Sequence, residues 1–361
     1  MKILQIIFTL SAGGGERFVV DMCNELAKKA SDEVYLLTVN ANTPKSQHYL
    51  PTLSPEVKYK NIGAPKGLSL KSIMGVYKAI KEINPDIVHI HSTTLLVYLP
   101  ALFHKKAKYI QTLHSLASKA ISFQWLRTFQ GWLFRKYVQP ITISNTCQES
   151  YKEYYKQDNA VCITNGRAAI EKSPDFETVQ KEIDNYKGEK NIPVFIHIAR
   201  YSKEKNQELL FNTFDRFHND GKDFLLVVIG AGFENSPYMH FNETSHIKIL
   251  GAKQNVGDYL ACANYFVLSS TYEGLPLSLL EAMSMGCIPI STPAGGVVDV
   301  IRDGDNGLLC PSFIEDDFYD TINKTFAKNF SIDKKDIIKE YNDKYTMEVC
   351  IKKYYDIYCK I

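Results

Sequence analysis

Short runs of aliphatic and β-branched residues alternate with longer amphipathic stretches along the chain. Continuous apolar runs separated by stretches of helical periodicity are typical of a parallel sheet that is covered on both faces. We predict strands at residues 3–8, 34–39, 87–90, 109–113 and 141–144 with helices at 18–30 and 70–83, and, after residue 190, strands at 194–199, 224–230, 247–250, 265–268 and 288–291 with helices at 208–217, 256–262 and 277–285.

Two such series predict an α/β protein with two Rossmann-like, doubly wound domains, whose ligands bind at the carboxyl ends of the strands. A polar stretch at residues 171–191 predicts a linker, so we divide the chain into domains 1–180 and 181–344. Residues 345–361 predict a last helix that packs back on the first domain. Its aromatic stripe has helical spacing and consists of Met347, Ile351, Tyr354, Tyr355 and Tyr358.

The composition is that of an ordinary globular protein. Of 361 residues, 45% are hydrophobic and 23% are charged, which argues against a disordered or collagen-like chain. The eight cysteines form no Cys-x-x-Cys pair, so the spacing indicates buried thiols in the cytoplasm rather than a zinc site or a disulfide scaffold. No apolar run approaches the ~20 residues that span a bilayer.

The formal net charge of +2 conceals an asymmetry between the two halves of the chain. Residues 1–180 hold 22 Lys and Arg against 14 Asp and Glu, and residues 181–361 hold 20 against 26, so the halves carry +8 and −6. Residues 87–148 contain no acidic residue at all. A segment this basic indicates an anionic partner.

The clearest candidate chemistry lies in residues 269–283, which follow one predicted strand and open a helix. Pro276 suits the first turn of that helix, so Glu273 lies at its mouth and Glu281 in its second turn. The free N–H groups of a helix N-terminus bind phosphate, and carboxylates accept hydrogen bonds from sugar hydroxyls. The alternative is a capping role for Glu273 and a solvent-facing Glu281.

Two cations follow another predicted strand. Arg200 and Lys205 lie just past its carboxyl end, in Arg-Tyr-Ser-Lys-Glu-Lys. A guanidinium fork and an ammonium group there can neutralise a pyrophosphate leaving group. A solvated pair on a surface loop is the alternative.

Taken together, these segments resemble the GT-B nucleotide-sugar glycosyltransferases, and among them the retaining family-four group. The resemblance covers nearly the whole chain and rests on the order and spacing of segments 13–17, 86–91, 112–114, 143–145, 164–166, 200–205, 228–232, 273–281 and 295–299. It implies two Rossmann-like domains that face each other across a cleft.

The resemblance also implies a catalytic set, His114, Glu273, Arg200 and Lys205. Arg200 and Lys205 would hold the diphosphate of the donor, Glu273 the transferred sugar and Glu281 the ribose. The donor-binding residues implied are Gly14, Gly15, Arg200, Lys205, Gly251, Glu273, Gly274, Leu275, Pro276, Leu277 and Glu281.

Gly14 and Gly15 lie in a loop whose backbone N–H groups would approach the diphosphate, since residues without a Cβ permit close contact. Gly-Gly-Gly-Glu-Arg lacks the Gly-x-Gly-x-x-Gly spacing of a dinucleotide fingerprint. Gly251 belongs to a segment that would shape the selectivity for base and sugar.

Three histidines lie at or near strand ends in the first half. The resemblance places His114 near the donor sugar and the acceptor, whereas on its own it would be a core or turn residue. His89 and His91 are two apart on one strand face, as a metal pair would be, but no third ligand has a recognisable spacing. We therefore interpret them as structural, with His91 also a candidate for the cleft.

Two segments depart from the family's pattern. After Asn165 and Gly166 the chain continues with Arg167 and two alanines, where an aliphatic residue and an acid are usual. Asp299 replaces a usual glutamate. By the resemblance, the first departure concerns the interdomain hinge and the acceptor side, and neither departure touches the residues that would hold the donor.

Cleavage of the donor builds negative charge on the leaving phosphate. Arg200, Lys205 and the helix N-terminus after Glu273 would stabilise this charge, so we expect no metal and no other cofactor. We interpret Asp303-Gly304-Asp305 as a polar turn. Retention of anomeric configuration is implied by the resemblance alone.

The acid-free segment also predicts an amphipathic helix, with Trp125, Leu126, Phe129, Trp132 and Leu133 on its core face. The outward residues are basic and aromatic, a composition typical of a surface for anionic lipid, and a solvated basic face is the alternative. Nucleic acid is a poorer partner, because no nucleic-acid module is recognisable. The residues of this membrane or acceptor side are Lys105, Lys106, Lys119, Phe123, Arg127 and Phe134.

The sequence thus predicts a retaining, metal-independent glycosyltransferase that moves a sugar from a nucleotide diphosphate donor, a UDP-sugar, to a lipid-linked glycan acceptor in surface polysaccharide synthesis. It would be cytoplasmic and peripheral on the inner face of the membrane. Two alternatives stay open: a GT-B nucleotide-sugar epimerase, which forms product without an acceptor, and a non-catalytic nucleotide-sugar-binding subunit.

Overall fold

A computed structural model describes residues 1–67, 69–91, 106–120, 126–188 and 190–360. The chain forms two compact units, one of Met1–Ala168 with Tyr345–Ile361 and one of Ala169–Lys344. Each unit is built on its own parallel sheet with helices between the strands, so the predicted organisation into two doubly wound α/β units is confirmed.

The first unit has a seven-stranded sheet in the order β3-β2-β1-β4-β5-β6-β7, with every neighbouring pair parallel. The order reverses between β1 and β4, where doubly wound sheets bind ligands. Its strands are β1 Lys2–Ile7, β2 Glu33–Asn40, β3 Lys58–Ala64, β4 Ile87–His91, β5 Lys108–Leu113, β6 Val138–Thr142 and β7 Val161–Cys162, and its helices before the crossover to the second unit are α1 Gly14–Ala27, α2 Leu70–Ile83, α3 Ala117–Ala120, α4 Arg127–Lys136 and α5 Asn145–Tyr155.

The second unit has a six-stranded parallel sheet in the order β10-β9-β8-β11-β12-β13, which reverses between β8 and β11. Its strands are β8 Val194–Ile198, β9 Leu225–Ile229, β10 Ile247–Ile249, β11 Tyr265–Leu268, β12 Ile288–Ser291 and β13 Leu308–Leu309, and its helices are α6 Phe176–Lys187, α7 Gln207–Asn219, α8 Val256–Ala261, α9 Leu277–Ser284, α10 Glu315–Asn323 and α11 Lys334–Lys344.

The core of the second unit is rich in phenylalanine. Phe195 on β8 packs edge-on against Phe214 on α7 with ring centroids 5.1 Å apart, and Phe214 packs on Phe217 at 5.9 Å. All three side chains are fully buried. Such aromatic contacts add to the free energy of burial and fix the position of β8, whose carboxyl end carries the predicted cations.

Strand β3 was not predicted, because its residues do not form an apolar run. Lys58, Lys60 and Asn61 give it a polar composition, and it lies at the edge of the first sheet, where only Ala64 of the strand is buried. An edge strand needs only one buried face, so its sequence is weakly marked.

The predicted linker at residues 171–191 is wrong in part, because helix α6 occupies most of it. Val179 and Ile183 are buried, and Tyr259 donates a hydrogen bond of 2.9 Å to Glu182. Two apolar positions four residues apart suffice to pack this otherwise polar helix. The division between the units therefore falls after Ala168 rather than after residue 180.

The chain returns to the first unit with its last helix, α12 Met347–Lys360. Arg167 N–H donates to Tyr345 O at 2.9 Å, and Met347 N–H donates to Arg167 O at 3.1 Å. At Gly166 a Cβ would lie 2.6 Å from Thr346 O, so only glycine permits this approach. Tyr354 and Tyr358 of the helix are buried.

Candidate functional site

Three strand ends of the second unit meet where Arg200 begins a loop. The N–H of Tyr201 donates to Ala231 O at 2.8 Å, and the N–H of Gly230 donates to Gly251 O at 2.9 Å. Gly230 has φ +159°, and a Cβ there would lie 1.9 Å from Ala199 O. This close packing brings the predicted donor residues Arg200 and Gly251 to one edge of the sheet, with Arg200 exposed.

Lys205 and Glu273, predicted from separate motifs, form an ion pair. Lys205 Nζ lies 2.6 Å from Glu273 Oε1, and the Ser270 hydroxyl donates to the same oxygen at 2.6 Å. Glu273 is only 7% exposed. Within the described residues, Oε2 of Glu273 accepts no hydrogen bond, so this oxygen is available to a ligand.

The turn after Glu273 packs against a second glycine-containing segment, Gly295 and Gly296. Gly296 N–H donates to Gly274 O at 2.9 Å. Gly295 has φ +55°, and a Cβ there would lie 1.9 Å from Glu273 O. The sequence marked Gly295 and Gly296 only as part of a resemblance, and their supporting contact was not foreseen.

Helix α9 begins at Leu277, the predicted start, and Pro276 lies just before its first turn rather than in it. Pro276 is the N-cap with extended backbone (φ −70°, ψ 128°), and Leu277 is the first helical residue. Leu275 and Leu277 are buried, and Glu281 is half-buried in the second turn. The first N–H groups of the helix, which have no partner within it, therefore start directly after the Glu273 turn.

In the first unit, Gly14 and Gly15 are the first residues of helix α1 rather than part of a loop. Gly13 is the N-cap, and the helix begins four residues before the predicted start at residue 18. Apolar periodicity, which starts at Phe18, does not mark the polar first turn. A Cβ at Gly14 would meet no atom within 4 Å, so the space next to this helix N-terminus is open.

His114 follows β5 and contacts His91, which ends β4. His114 Nε2 lies 3.0 Å from His91 Nδ1, and Phe18 packs edge-on to the His114 ring at 5.4 Å. Burial lowers the pKa of His114 to about 4, so the ring is neutral at pH 7.

His89 and His91 are both fully buried, and all four of their ring nitrogens lie within hydrogen-bond distance of protein atoms. The interpretation as strand-end structure therefore fits better than a metal pair. Across the described ranges, three or more His, Cys, Asp or Glu side chains nowhere converge as metal ligands do.

The predicted outward face of the basic helix is wrong in part. In α4, Phe134 is 2% exposed and packs against Tyr155 with centroids 5.2 Å apart, whereas Phe129 and Trp132 are 37% and 44% exposed. Gln130 of the same helix is buried as well. The helix is rotated because α5 offers Phe134 an aromatic partner.

The basic residues keep their predicted exposure. Lys106, Lys119 and Arg127 are exposed, while Lys105 and Phe123 lie outside the described residues. Phe129 and Trp132 stack with ring centroids 5.8 Å apart. The aromatic residues that the described part of this helix exposes are thus Phe129 and Trp132 rather than Phe134.

Two family models match the chain in succession. The model of the glycosyl transferases group 1 matches residues 151–345, and the model of Glycosyltransferase Family 4 matches residues 12–167. These matches cover the segments that carry both halves of the predicted site.

Two curated relatives show how far the similarity extends. The UDP-Gal:alpha-D-GlcNAc-diphosphoundecaprenol alpha-1,3-galactosyltransferase of Escherichia coli is 26% identical over 282 residues, 72% of this chain and 70% of that protein. The GalNAc-alpha-(1->4)-GalNAc-alpha-(1->3)-diNAcBac-PP-undecaprenol alpha-1,4-N-acetyl-D-galactosaminyltransferase of Campylobacter jejuni is 23% identical over 315 residues, 86% of this chain and 84% of that protein.

Among solved structures, HepE from Anabaena in complex with UDP and glucose has a TM-score of 0.79 at 17% identity, with 100% of each chain covered. This likeness confirms the predicted fold, two Rossmann-like units of the GT-B type.

Proposed function

The chain belongs to the glycosyl transferases group 1 family and is a glycosyltransferase, and from this we propose a specific reaction. It transfers a sugar from a UDP-sugar to a lipid-linked glycan, with retention of anomeric configuration and without a metal ion, in the synthesis of a surface polysaccharide.

The contact between Lys205 and Glu273 carries this proposal. Lys205 and the Ser270 hydroxyl both occupy Oε1 of Glu273, which fixes the carboxylate and leaves Oε2 to accept a hydrogen bond from a sugar hydroxyl. Lys205 is also close to Arg200 in the sequence, and its ammonium group can bind the diphosphate. One site thus contacts both the sugar and the diphosphate, the two groups joined by the bond that breaks.

The leaving diphosphate gains negative charge as the anomeric bond lengthens. We assign its stabilisation to Arg200, Lys205 and the first N–H groups of helix α9 in the second unit. These groups supply fixed positive potential, so the proposal needs no divalent cation. Glu281 is assigned to the ribose and Gly251 to the pocket for base and sugar.

The proposals for donor and acceptor draw on the relatives. The Escherichia coli relative is named for a UDP-galactose donor, and both curated relatives are named for acceptors on an undecaprenol diphosphate. Retention follows the family-four resemblance, and His114 is assigned to the side of the transferred sugar.

The location is proposed on similar grounds. Within the described residues, no helix is long and apolar enough to cross a membrane. All eight cysteines are free thiols, as expected in a reducing compartment. We propose a cytoplasmic enzyme that binds the inner membrane face through the exposed residues Phe129, Trp132, Arg135 and Lys136 of α4.

A nucleotide-release screen tests the reaction. UDP-, GDP- and ADP-sugars are incubated with the full-length protein and membrane extract, with and without EDTA. We expect release from a UDP-sugar that requires the extract and survives EDTA, and that is lost in the Arg200→Ala, Glu273→Ala double variant. Turnover that persists in the double variant contradicts the site, product formation without extract supports an epimerase, and saturable binding without release supports a binding subunit.

A further inference from the structure

A chain of hydrogen bonds buried in the first unit joins His114 to the last helix. Tyr358 of α12 accepts a hydrogen bond from Gln5 Nε2 at 3.2 Å, and Gln5 Oε1 lies 2.7 Å from His91 Nε2. His91 Nδ1 in turn lies 3.0 Å from His114 Nε2. Gln5 and His91 are fully buried, so water does not compete for these contacts.

The rings in this chain are neutral at pH 7. Burial, and then the charge of neighbouring imidazoles, holds the pKa of His91 well below its usual range, and burial lowers that of His114 to about 4. A neutral imidazole carries one proton, so one nitrogen donates and the other accepts. The partner of each nitrogen therefore fixes the tautomer.

The direction of the chain follows from Gln5. Its amide nitrogen donates to Tyr358, so its carbonyl oxygen faces His91 and can only accept. His91 must then carry its proton on Nε2 and present Nδ1 as an acceptor, and His114 must donate to it from Nε2.

We propose that Gln5 and His91 are positioning residues that hold His114 in the tautomer protonated at Nε2, leaving Nδ1 as an acceptor for a sugar hydroxyl. His114 is partly exposed, and nothing among the described residues hydrogen-bonds to its Nδ1. The part played by the hydroxyl rests on the proposed function, in which His114 lies beside the transferred sugar.

A branch through His89 has the same direction. The Tyr358 hydroxyl accepts from Gln5 and has its own proton to give to His89 Nδ1, 2.7 Å away. This direction places the His89 proton on Nε2, which lies 2.7 Å from the Thr112 hydroxyl. All three rings then carry their proton on Nε2. An amide of Gln5 turned by 180° would reverse every donor, and all three rings would carry it on Nδ1.

Nitrogen chemical shifts of the imidazoles decide between these two states. Full-length protein labelled with ¹⁵N-histidine is measured at pH 7, and signals are assigned with the variants described below. His197 is an internal reference, because its Nδ1 donates to Val267 O at 2.8 Å and burial lowers its pKa to about 4. We expect His114 to show the Nε2-protonated pattern, opposite to that of His197. An Nδ1-protonated or cationic His114 overturns the proposal.

Variants of His91 connect the tautomer to turnover. His91→Leu removes the acceptor, so His114 should become a mixture of tautomers, with kcat lower by about tenfold, the effect of one hydrogen bond. His91→Asn places an amide oxygen near the position of Nδ1. It should restore both the Nε2-protonated pattern of His114 and kcat. The donor KM should change less than kcat, and His240→Asn, an exposed ring in the second unit, should change neither.

The two readouts separate the two proposals. An inactive wild-type protein with His114 protonated on Nε2 contradicts the proposed function and leaves the tautomer supported. An active His91→Leu variant with an unchanged His114 signal and full kcat contradicts the positioning role and leaves the function standing.

Discussion

The two units share one strand order but place different chemistry at the point where that order reverses. In the second unit, a charged pair, Lys205 and Glu273, stands after β8 and β11. In the first unit, neutral rings and an amide, His89, His91 and Gln5, lie on β1 and β4. The fold therefore determines where a ligand can bind, and the side chains at that point determine which charge it can carry.

The largest expected effect is the loss of stability of the first unit in acid. Burial holds the pKa of His89 and His91 well below the usual value and that of His114 at about 4. In the second unit, burial lowers the pKa of His197 to about 4. Burial also lowers the pKa of His246, but the nearby Asp215 carboxylate opposes that shift. Below pH ~6.5 the histidines of the unfolded chain bind protons, whereas the buried rings of the folded chain stay neutral, His114 down to about pH 4. The free energy of unfolding therefore falls as the pH is lowered from ~6.5.

Tryptophan fluorescence reports this transition in the first unit alone, because Trp125 and Trp132 both belong to it. On lowering the pH from 7 to 4, fluorescence should change before the far-UV circular dichroism is fully lost. Coincident transitions, or an earlier change in the second unit, would contradict the difference between the units.

The next effect is on turnover through the charged pair. Glu273→Gln removes the negative charge of the carboxylate, which we propose accepts a hydrogen bond from a sugar hydroxyl, and it leaves Lys205 without its counter-ion. We expect kcat/KM to fall by about 10³, as for loss of a preorganised electrostatic contact at a reacting centre. Glu243→Gln, an exposed carboxylate of the same unit, is the control, and equal activity of the two variants would remove Glu273 from the site.

A buried ion pair of the first unit gives an effect of similar size on stability. Asp21 pairs with Arg167 and, at 3.0 Å, with Arg17. The Asp21 and Arg167 side chains are 2% and 8% exposed, so Arg167→Met leaves a buried carboxylate with one partner instead of two. The free energy of unfolding of this unit should fall by about 3 kcal/mol in urea titrations followed by tryptophan fluorescence.

Lys152→Met is the matched control for that change. Lys152 pairs with Asp158 at 2.8 Å on the surface, where both side chains are exposed. Its loss should lower the free energy of unfolding by less than about 0.5 kcal/mol. An equal loss in both variants would mean that burial of the pair does not matter.

The glycine behind Glu273 tests whether the turn must be held in place. Gly295→Ala puts a Cβ 1.9 Å from Glu273 O in a backbone with φ +55°, so the turn has to move. A displacement of this kind should lower kcat/KM by about 10². Gly304→Ala also has positive φ (+76°) but meets no atom within 4 Å, and it should keep full activity in the same nucleotide-release assay.

The sequence predicted the features that depend on local pattern. The strand and helix alternation gave both sheets, and the motif spacing indicated Lys205 and Glu273 individually. It could not show that these two side chains touch, that Gly295 supports Glu273, or that Gln5 faces His91, since each contact joins distant parts of the chain.

The prediction of which face of α4 points outward was wrong for a related reason. Helical periodicity gives two candidate stripes when aromatic residues occur on both sides, and only the packing partner selects one. Here Tyr155 of α5 packs on Phe134, which turns Phe129 and Trp132 outward.

That rotation leads to the smallest expected effect, on membrane binding by the first unit. Trp132 is 44% exposed beside basic residues in a segment without acidic residues, so its ring can enter the headgroup region of an anionic bilayer. Trp132→Ser should weaken binding to vesicles of anionic phospholipid by about tenfold, the transfer energy of one aromatic side chain. Phe313→Ser is the control, because Phe313 has the same exposure, 45%, but belongs to the second unit. Co-sedimentation with anionic and zwitterionic vesicles measures both variants, and a Phe313 effect as large as that of Trp132 would mean that the first unit has no special role at the membrane.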